Sequence, residues 1–157
     1  MEQETGVFKY VLRFGLTYMV LSLLVWLLLE VLNAISSLEI NIYLTLAVTL
    51  GALGGAAMFA VSKFIQDNKR IPASQEKSKL IWFSFLTSWL LQVLVFFAAI
   101  IFLPEGKKMI EDIQSDGFLF ILFFIIFISV FYLGLLSLFY GNSAKKRFEI
   151  MQKQGQI

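Results

Sequence analysis

Apolar residues do not alternate with polar ones along this chain. They run in four long blocks, at about residues 11–32, 42–65, 80–103 and 118–140. Each block is about 20 residues or longer, enough for a helix rising about 1.5 Å per residue to cross a hydrocarbon core of about 30 Å. Lipid offers the backbone no hydrogen-bonding partner, so each block must satisfy its own N–H and C=O groups. A helix does this and an open strand does not. The pattern predicts an all-α fold: a single domain over 1–157, an integral membrane bundle of four transmembrane helices with a basic tail over 141–157.

The connections between the blocks differ in character. Residues 33–41 are short and polar. The stretch after the third block opens on a Pro104-Glu105-Gly106 turn and ends at Gly117. Within it, Lys107/Glu111 and Lys108/Asp112 stand four apart, a spacing that suits a helix. Met109, Ile110 and Ile113 share one face, which predicts a short amphipathic helix lying flat on the outer membrane boundary. Glu105, Glu111, Asp112 and Asp116 lack the spacing of a calcium loop and read as a solvated acidic surface.

Basic residues are distributed unevenly. Lys9 and Arg13 precede the first span. Lys63, Lys69, Arg70, Lys77 and Lys79 lie around the second connection, and Lys145, Lys146, Arg147 and Lys153 follow the last span. Only Lys107 and Lys108 fall on the other side. Lys and Arg are retained in cytoplasmic connections, so the bundle is expected to be N-in/C-in, with both termini cytoplasmic. The first span is expected to stay in place rather than be cleaved as a signal peptide, because its apolar run is long and Glu30 interrupts its end.

Composition narrows the chemistry. Hydrophobic residues make up 59% of the chain and charged residues 15%, which leaves no material for a separate soluble domain. Cysteine and histidine are both absent, which removes thiol catalysis, disulfide exchange, haem ligation and most zinc chemistry. No metal or other cofactor is expected. A net charge of +2 gives no reason to expect nucleic acid. Enzymatic function is not expected, because the titratable residues within the spans do not converge in pairs.

Two features break the apolar blocks. The second span carries Ala47, Gly51 and Gly55 every four residues, and Ala52, Ala56 and Ala60 beside them. Small residues let helix backbones approach closely, and each Gly costs about 1 kcal/mol against Ala in an isolated helix. The face suits contact with another helix of this chain, or with a second copy or a larger membrane-protein partner. Polar residues also recur: Tyr18, Ser22, Trp26, Glu30 and Asn33 in the first span, Ser84, Thr87, Ser88 and Gln92 in the third, and Ser129, Tyr132, Ser137 and Tyr140 in the fourth. Converging, they would form a polar seam. It would serve either as a proton or substrate path using Glu30, or as interhelical hydrogen bonds of about 0.6 kcal/mol each. Counted from Arg13, Glu30 lies about 25 Å along the helix, near the outer boundary and within reach of water. Phe123, Phe124, Phe127 and Phe131 suit a lipid-facing or packing surface, and Trp82 suits the inner boundary.

The segment KFIQDNKRIPASQEKSKLIW, from Lys63 to Trp82, is the least generic. Pro72 holds Ile71 extended and favours a new helix just beyond. Ser74 is expected to cap that helix, with Glu76 in its first turn facing the positive dipole end. Asp67, Lys69, Arg70, Pro72, Glu76 and Lys77, together with Lys145, Lys146 and Arg147, form a candidate docking surface. It would meet a partner, or the anionic lipid of the bilayer at about 1 kcal/mol per basic residue.

Phe64, Asp67, Arg70, Pro72, Glu76 and Lys77, followed by Trp82, Ser84 and Ser88, resemble the signature of an uncharacterised family of small four-helix bacterial inner-membrane proteins. The resemblance covers about a sixth of the chain, and where the signature has Thr or Ser this chain has Ala73. It implies the bacterial cytoplasmic membrane and no established activity. The expected function is non-enzymatic support of cell-envelope integrity or assembly through helix–helix and cytoplasmic-face contacts. One alternative is a small dimeric proton-coupled transporter using Glu30. Four-helix multidrug exporters are similar in helix count and in having a Glu in the first helix, but theirs lies nearer mid-membrane. Another is a membrane immunity protein against a toxin.

Overall fold

A computed structural model of the protein describes residues 6–36, 42–102 and 118–157. Four long helices dominate it: α1 (Phe8–Ser36), α2 (Ile42–Asn68), α3 (Ser74–Phe102) and α4 (Phe118–Leu138). α4 continues through a π-helical turn, Phe139–Ser143, into α5 (Ala144–Lys153). The four long segments are each long and apolar enough to cross a membrane. The amphipathic outer helix expected between the third and fourth spans, with Lys107/Glu111 and Lys108/Asp112, lies outside the described residues.

The helices overrun the apolar blocks at one end of the bundle. The start of α1, the end of α2, the start of α3 and all of α5 meet there. This end gathers Lys9, Arg13, Lys63, Lys69, Arg70, Lys77, Lys79 and the four basic residues of α5, and is called the basic end below. α2 stops because its last carbonyls find local partners. Asn68 Nδ2 donates to the Phe64 carbonyl at 2.8 Å, and the Lys69 N–H donates to the Ile65 carbonyl at 2.8 Å. Lys69 itself turns left-handed, with φ 55°, which closes the helix with an αL cap. α3 starts one residue earlier than a Ser74 cap requires. The Ala73 carbonyl accepts the first helical hydrogen bond, from the Lys77 N–H at 2.8 Å, so Ala73 holds the capping position and Ser74 lies inside the helix. Ala73 has no side-chain oxygen to cap with. The reciprocal half of the capping box remains: Glu76 Oε2 accepts the Ala73 N–H at 2.9 Å.

The stretch expected as a basic tail is a helix docked on the bundle. Ala144 and Met151, seven residues apart, are buried on one face of α5, while Lys145 and Lys146 are exposed. Ala, Lys, Arg, Glu, Met and Gln are all strong helix formers, so nothing stops the helix before Gly155. There, φ of +64° and the bonds Gly155 N–H to Gln152 and Gln156 N–H to Met151 complete a Schellman motif. The π turn has a geometric reason. Buried Tyr132, Leu136, Tyr140 and Ala144 recur every four residues. In a regular helix at about 100° per residue, each such step drifts by about 40°, carrying Ala144 about 120° away from Tyr132. The wider π turn absorbs about one residue and keeps α5 facing the bundle.

Packing is concentrated toward the basic end. Tyr10, Phe14 and Tyr18 of α1, with Leu53, Val61, Phe64 and Ile65 of α2, are buried together with Leu80, Leu136 and Tyr140. α1 packs most extensively on α2 and also on α3; α3 packs on α4, and the π turn and α5 close the ring back onto α2. Toward the other end the helices separate. Leu23, Leu24, Leu27, Leu28, Leu94, Phe123 and Phe127 stand exposed. In water such a surface would be strongly unfavourable; against hydrocarbon chains it carries no comparable penalty.

Candidate functional site

At the basic end two ion-pair clusters fasten the connection between α2 and α3. Asp67 accepts hydrogen bonds from Lys9 Nζ at 3.2 Å, Tyr10 OH at 3.1 Å and Arg13 Nη1 at 3.3 Å. Asn68 Nδ2 adds a bond to the same Tyr10 hydroxyl at 2.9 Å. This cluster is partly open to solvent, with Asp67 33% exposed. The second is not: the Glu76 side chain is 5% exposed and lies in a bidentate pair with Arg70. Nη1 meets Oε2 at 2.6 Å and Nη2 meets Oε1 at 2.8 Å, while the guanidinium lies 5.5 Å from the Phe64 ring centre. The chain between Arg70 and Glu76 is thereby folded back on itself around Pro72. Of the remaining candidates, Lys69 reaches the Gln156 carbonyl at 3.3 Å, tying the connection to the end of α5. Lys77 Nζ rests 2.8 Å from where a Cβ on Gly141 would stand, so the lysine end lies directly over the π turn.

The polar residues of the spans converge in part. Gln92 Nε2 donates to the hydroxyls of Tyr18 and Tyr132, each at 3.0 Å, joining α1, α3 and α4. Nearer the basic end, Ser84 and Tyr140 share a buried hydrogen bond of 2.8 Å. Ser88 is buried but bonds the Phe85 carbonyl of its own helix at 2.8 Å. Ser22 Oγ and Trp89 Nε1 are buried without a hydrogen-bond partner. Glu30 does not join: it is exposed on α1, as is Trp26. Tyr140→Phe is expected to lower stability by about 1 kcal/mol, the net value of one buried hydrogen bond. Glu30→Gln is expected to change it by less than about 0.5 kcal/mol, as for an exposed position. Reversible unfolding in mild detergent checks both.

The small residues of α2 divide between two faces. Ala52, Ala56 and Ala60 are buried inside the bundle. Ala47, Gly51 and Gly55 are exposed. A Cβ on Gly51 would meet nothing within 4 Å, and one on Gly55 would touch Leu21 at 3.2 Å. The tight approaches belong to glycines outside that stripe: Gly54, whose Cβ would lie 2.6 Å from the Phe139 ring, and Gly15, whose Cβ would lie 2.9 Å from Thr87. Away from the basic end, α2 and α4 diverge into a lateral cleft of about 260 Å³. Its walls are Thr45, Thr49 and Leu50 on one side and Phe124, Phe127 and Phe131 on the other. The cleft was not visible in the sequence, although the Phe-rich start of α4 supplies one wall of it.

Among the described residues, no group of three His, Cys, Asp or Glu side chains gathers to hold a metal ion. Fold and surfaces define an all-α protein with four helices of membrane-spanning length and composition, which suggest a multi-pass membrane protein. No protein-family model, curated protein or solved structure matches the chain.

Proposed function

We propose that this is a non-enzymatic protein of the bacterial cytoplasmic membrane, with both termini cytoplasmic. On this reading it supports the cell envelope by holding a transmembrane helix of another membrane protein against the exposed Ala47–Gly51 flank of α2. The observation that carries the reading is the bare Ala47–Gly51 flank of α2, exposed on the side of the helix away from the lateral cleft. A small-residue flank lets a foreign helix approach closely, so dispersion contacts accumulate where lipid would pack less well. The basic end is fastened by ion pairs and a dense core, while the cleft end is loosely packed; the bundle thus joins a firm base to an adaptable face. The basic residues at the firm end support the cytoplasmic orientation through charge retention. A proton-coupled transporter gains less support, because Glu30 sits apart from the Tyr18–Gln92–Tyr132 hydrogen bonds.

Gentle detergent extraction from native membranes tests the reading. Wild type is expected to migrate as a complex well above monomer size. Gly51→Leu is expected to lose the partner while keeping an unchanged unfolding midpoint. A wild-type monomer, or a Gly51→Leu variant that keeps its partner, contradicts it.

A further inference from the structure

A second cavity, of about 370 Å³, lies between α2 and α5 at the basic end. Its lining is Met58, Phe59, Ser62, Lys63, Gln66 and Arg147. Two of these six are cations and none is an anion. Lys63 Nζ donates to Gln66 Oε1 at 3.0 Å and lies 5.9 Å from the Phe59 ring centre. Arg147 is less satisfied: its Nε is buried and has no hydrogen-bond partner. Neither cation has a carboxylate within ion-pair distance among the described residues. Two positive charges facing one partly enclosed space repel each other, and a buried guanidinium N–H without an acceptor is unfavourable. Both problems are removed by one anion with several acceptor oxygens.

The shape of the site points to an amphipathic anion. Ser62, Lys63 and Gln66 form the polar end of the cavity on α2. Met58 and Phe59 stand about one turn further from the basic end on the same helix, and Phe59 is exposed. A ligand that meets both needs a phosphate at one end and an acyl chain at the other. The planar fork of Arg147 suits phosphate oxygens, and the Lys63 ammonium supplies a second charge. The π turn makes the arrangement possible, since it sets the face of α5 that Arg147 occupies. We propose that Ser62, Lys63, Gln66 and Arg147 form a phosphate-binding site, occupied by the headgroup of an anionic phospholipid. The bound lipid bridges α2 and α5 and completes the basic end. This rests on the membrane reading above, and it goes further by naming one site and one lipid chemistry rather than a diffuse basic surface.

Native mass spectrometry of the detergent-purified full chain tests the site. The added probes are phosphatidylglycerol, phosphatidylcholine or millimolar inorganic phosphate. Wild type is expected to retain one phosphatidylglycerol in preference to phosphatidylcholine. Arg147→Gln and Lys63→Gln are each expected to weaken that retention about tenfold, the equivalent of about 1.4 kcal/mol. Lys145→Gln, at an exposed neighbour, is expected to leave it unchanged. Arg147→Lys keeps the charge without the fork and is expected to fall between wild type and Arg147→Gln. If Arg147→Gln does not fold, Lys63→Gln carries the test, because Lys63 bonds only Gln66 on its own helix. Equal retention of the two lipids, or an equal loss in Lys145→Gln, overturns the proposal in favour of diffuse charge. Displacement of the lipid by inorganic phosphate overturns the lipid as the occupant. Retention is read without any protein partner, so failure here leaves the proposed partner contact to stand or fall separately.

Discussion

Arg70→Ala lowers the stability of the folded bundle by about 3 kcal/mol, the low end of the range for removing one member of a buried ion pair. The magnitude follows from which partner is left behind. Arg70 is 34% exposed, but the Glu76 side chain is 5% exposed. Without the guanidinium, the buried carboxylate loses both bonds of its bidentate pair, and its charge loses the nearest compensating cation. Asp67→Asn offers the contrast. Asp67 meets three donors, yet its cluster is partly solvated, and exposed pairs contribute about 0–1 kcal/mol. Chemical unfolding in mild detergent should therefore rank Arg70→Ala well below Asp67→Asn. The double variant Arg70→Met, Glu76→Leu is expected to regain more than half of the loss, because it leaves no buried charge unpaired. Equal losses for Arg70→Ala and Asp67→Asn would show that burial does not separate the two clusters.

Gly54→Leu is the second large effect, and its neighbour Gly51 is the control. A Cβ at Gly54 alone would lie 2.6 Å from the Phe139 ring, so a leucine must displace that ring, which packs at the start of the π turn. Overpacking of this kind costs about 1–3 kcal/mol, against about 0.8 kcal/mol gained in helix propensity. The net loss should be about 1 kcal/mol and should loosen α5 from α2. At Gly51 nothing lies within 4 Å, so the propensity gain stands alone and Gly51→Leu should be neutral or slightly stabilising in the isolated protein. Limited proteolysis provides a second readout: cleavage around α5 should accelerate in Gly54→Leu and remain at the wild-type rate in Gly51→Leu.

These two glycines also mark what a single sequence conveys. The spacing of Ala47, Gly51 and Gly55 identifies a stripe of small residues, but adjacent positions differ by only about 100° around a helix. Which stripe turns inward is decided by the side chains opposite. Here the Phe139 ring comes in over Gly54, and the Ala52–Ala56–Ala60 face is enclosed with the aromatic side chains of the core. The four long helices were legible because an apolar run of membrane length has few other outcomes. The docked α5 was not, because its high charge resembles a solvated tail when read alone. Its buried positions, Ala144 and Met151, have meaning only against α2. One signal for the π turn was available: Tyr132, Leu136, Tyr140 and Ala144 recur at a period of four, too long for a regular helix. From the sequence alone, Glu76 is a charge facing a helix dipole. Its pairing with Arg70 depends on the chain reversing at Pro72, which spacing suggests but does not establish. Glu30 illustrates the opposite case. Its helical spacing from Tyr18 and Ser22 placed it in a seam that the α1–α3 packing assembles without it.

The exposed Ala47–Gly51 flank of α2 is the face proposed to receive a helix from outside the chain. The chain contains no cysteine, so a single one introduced at Gly51 carries a photocrosslinker to that site alone. A second variant carries it at Leu90, also exposed, on α3. Illumination of native membranes is expected to give one adduct of discrete mass from position 51 and none from position 90. The same adducts from both positions, or lipid adducts alone from position 51, would contradict the proposal that this face binds a partner.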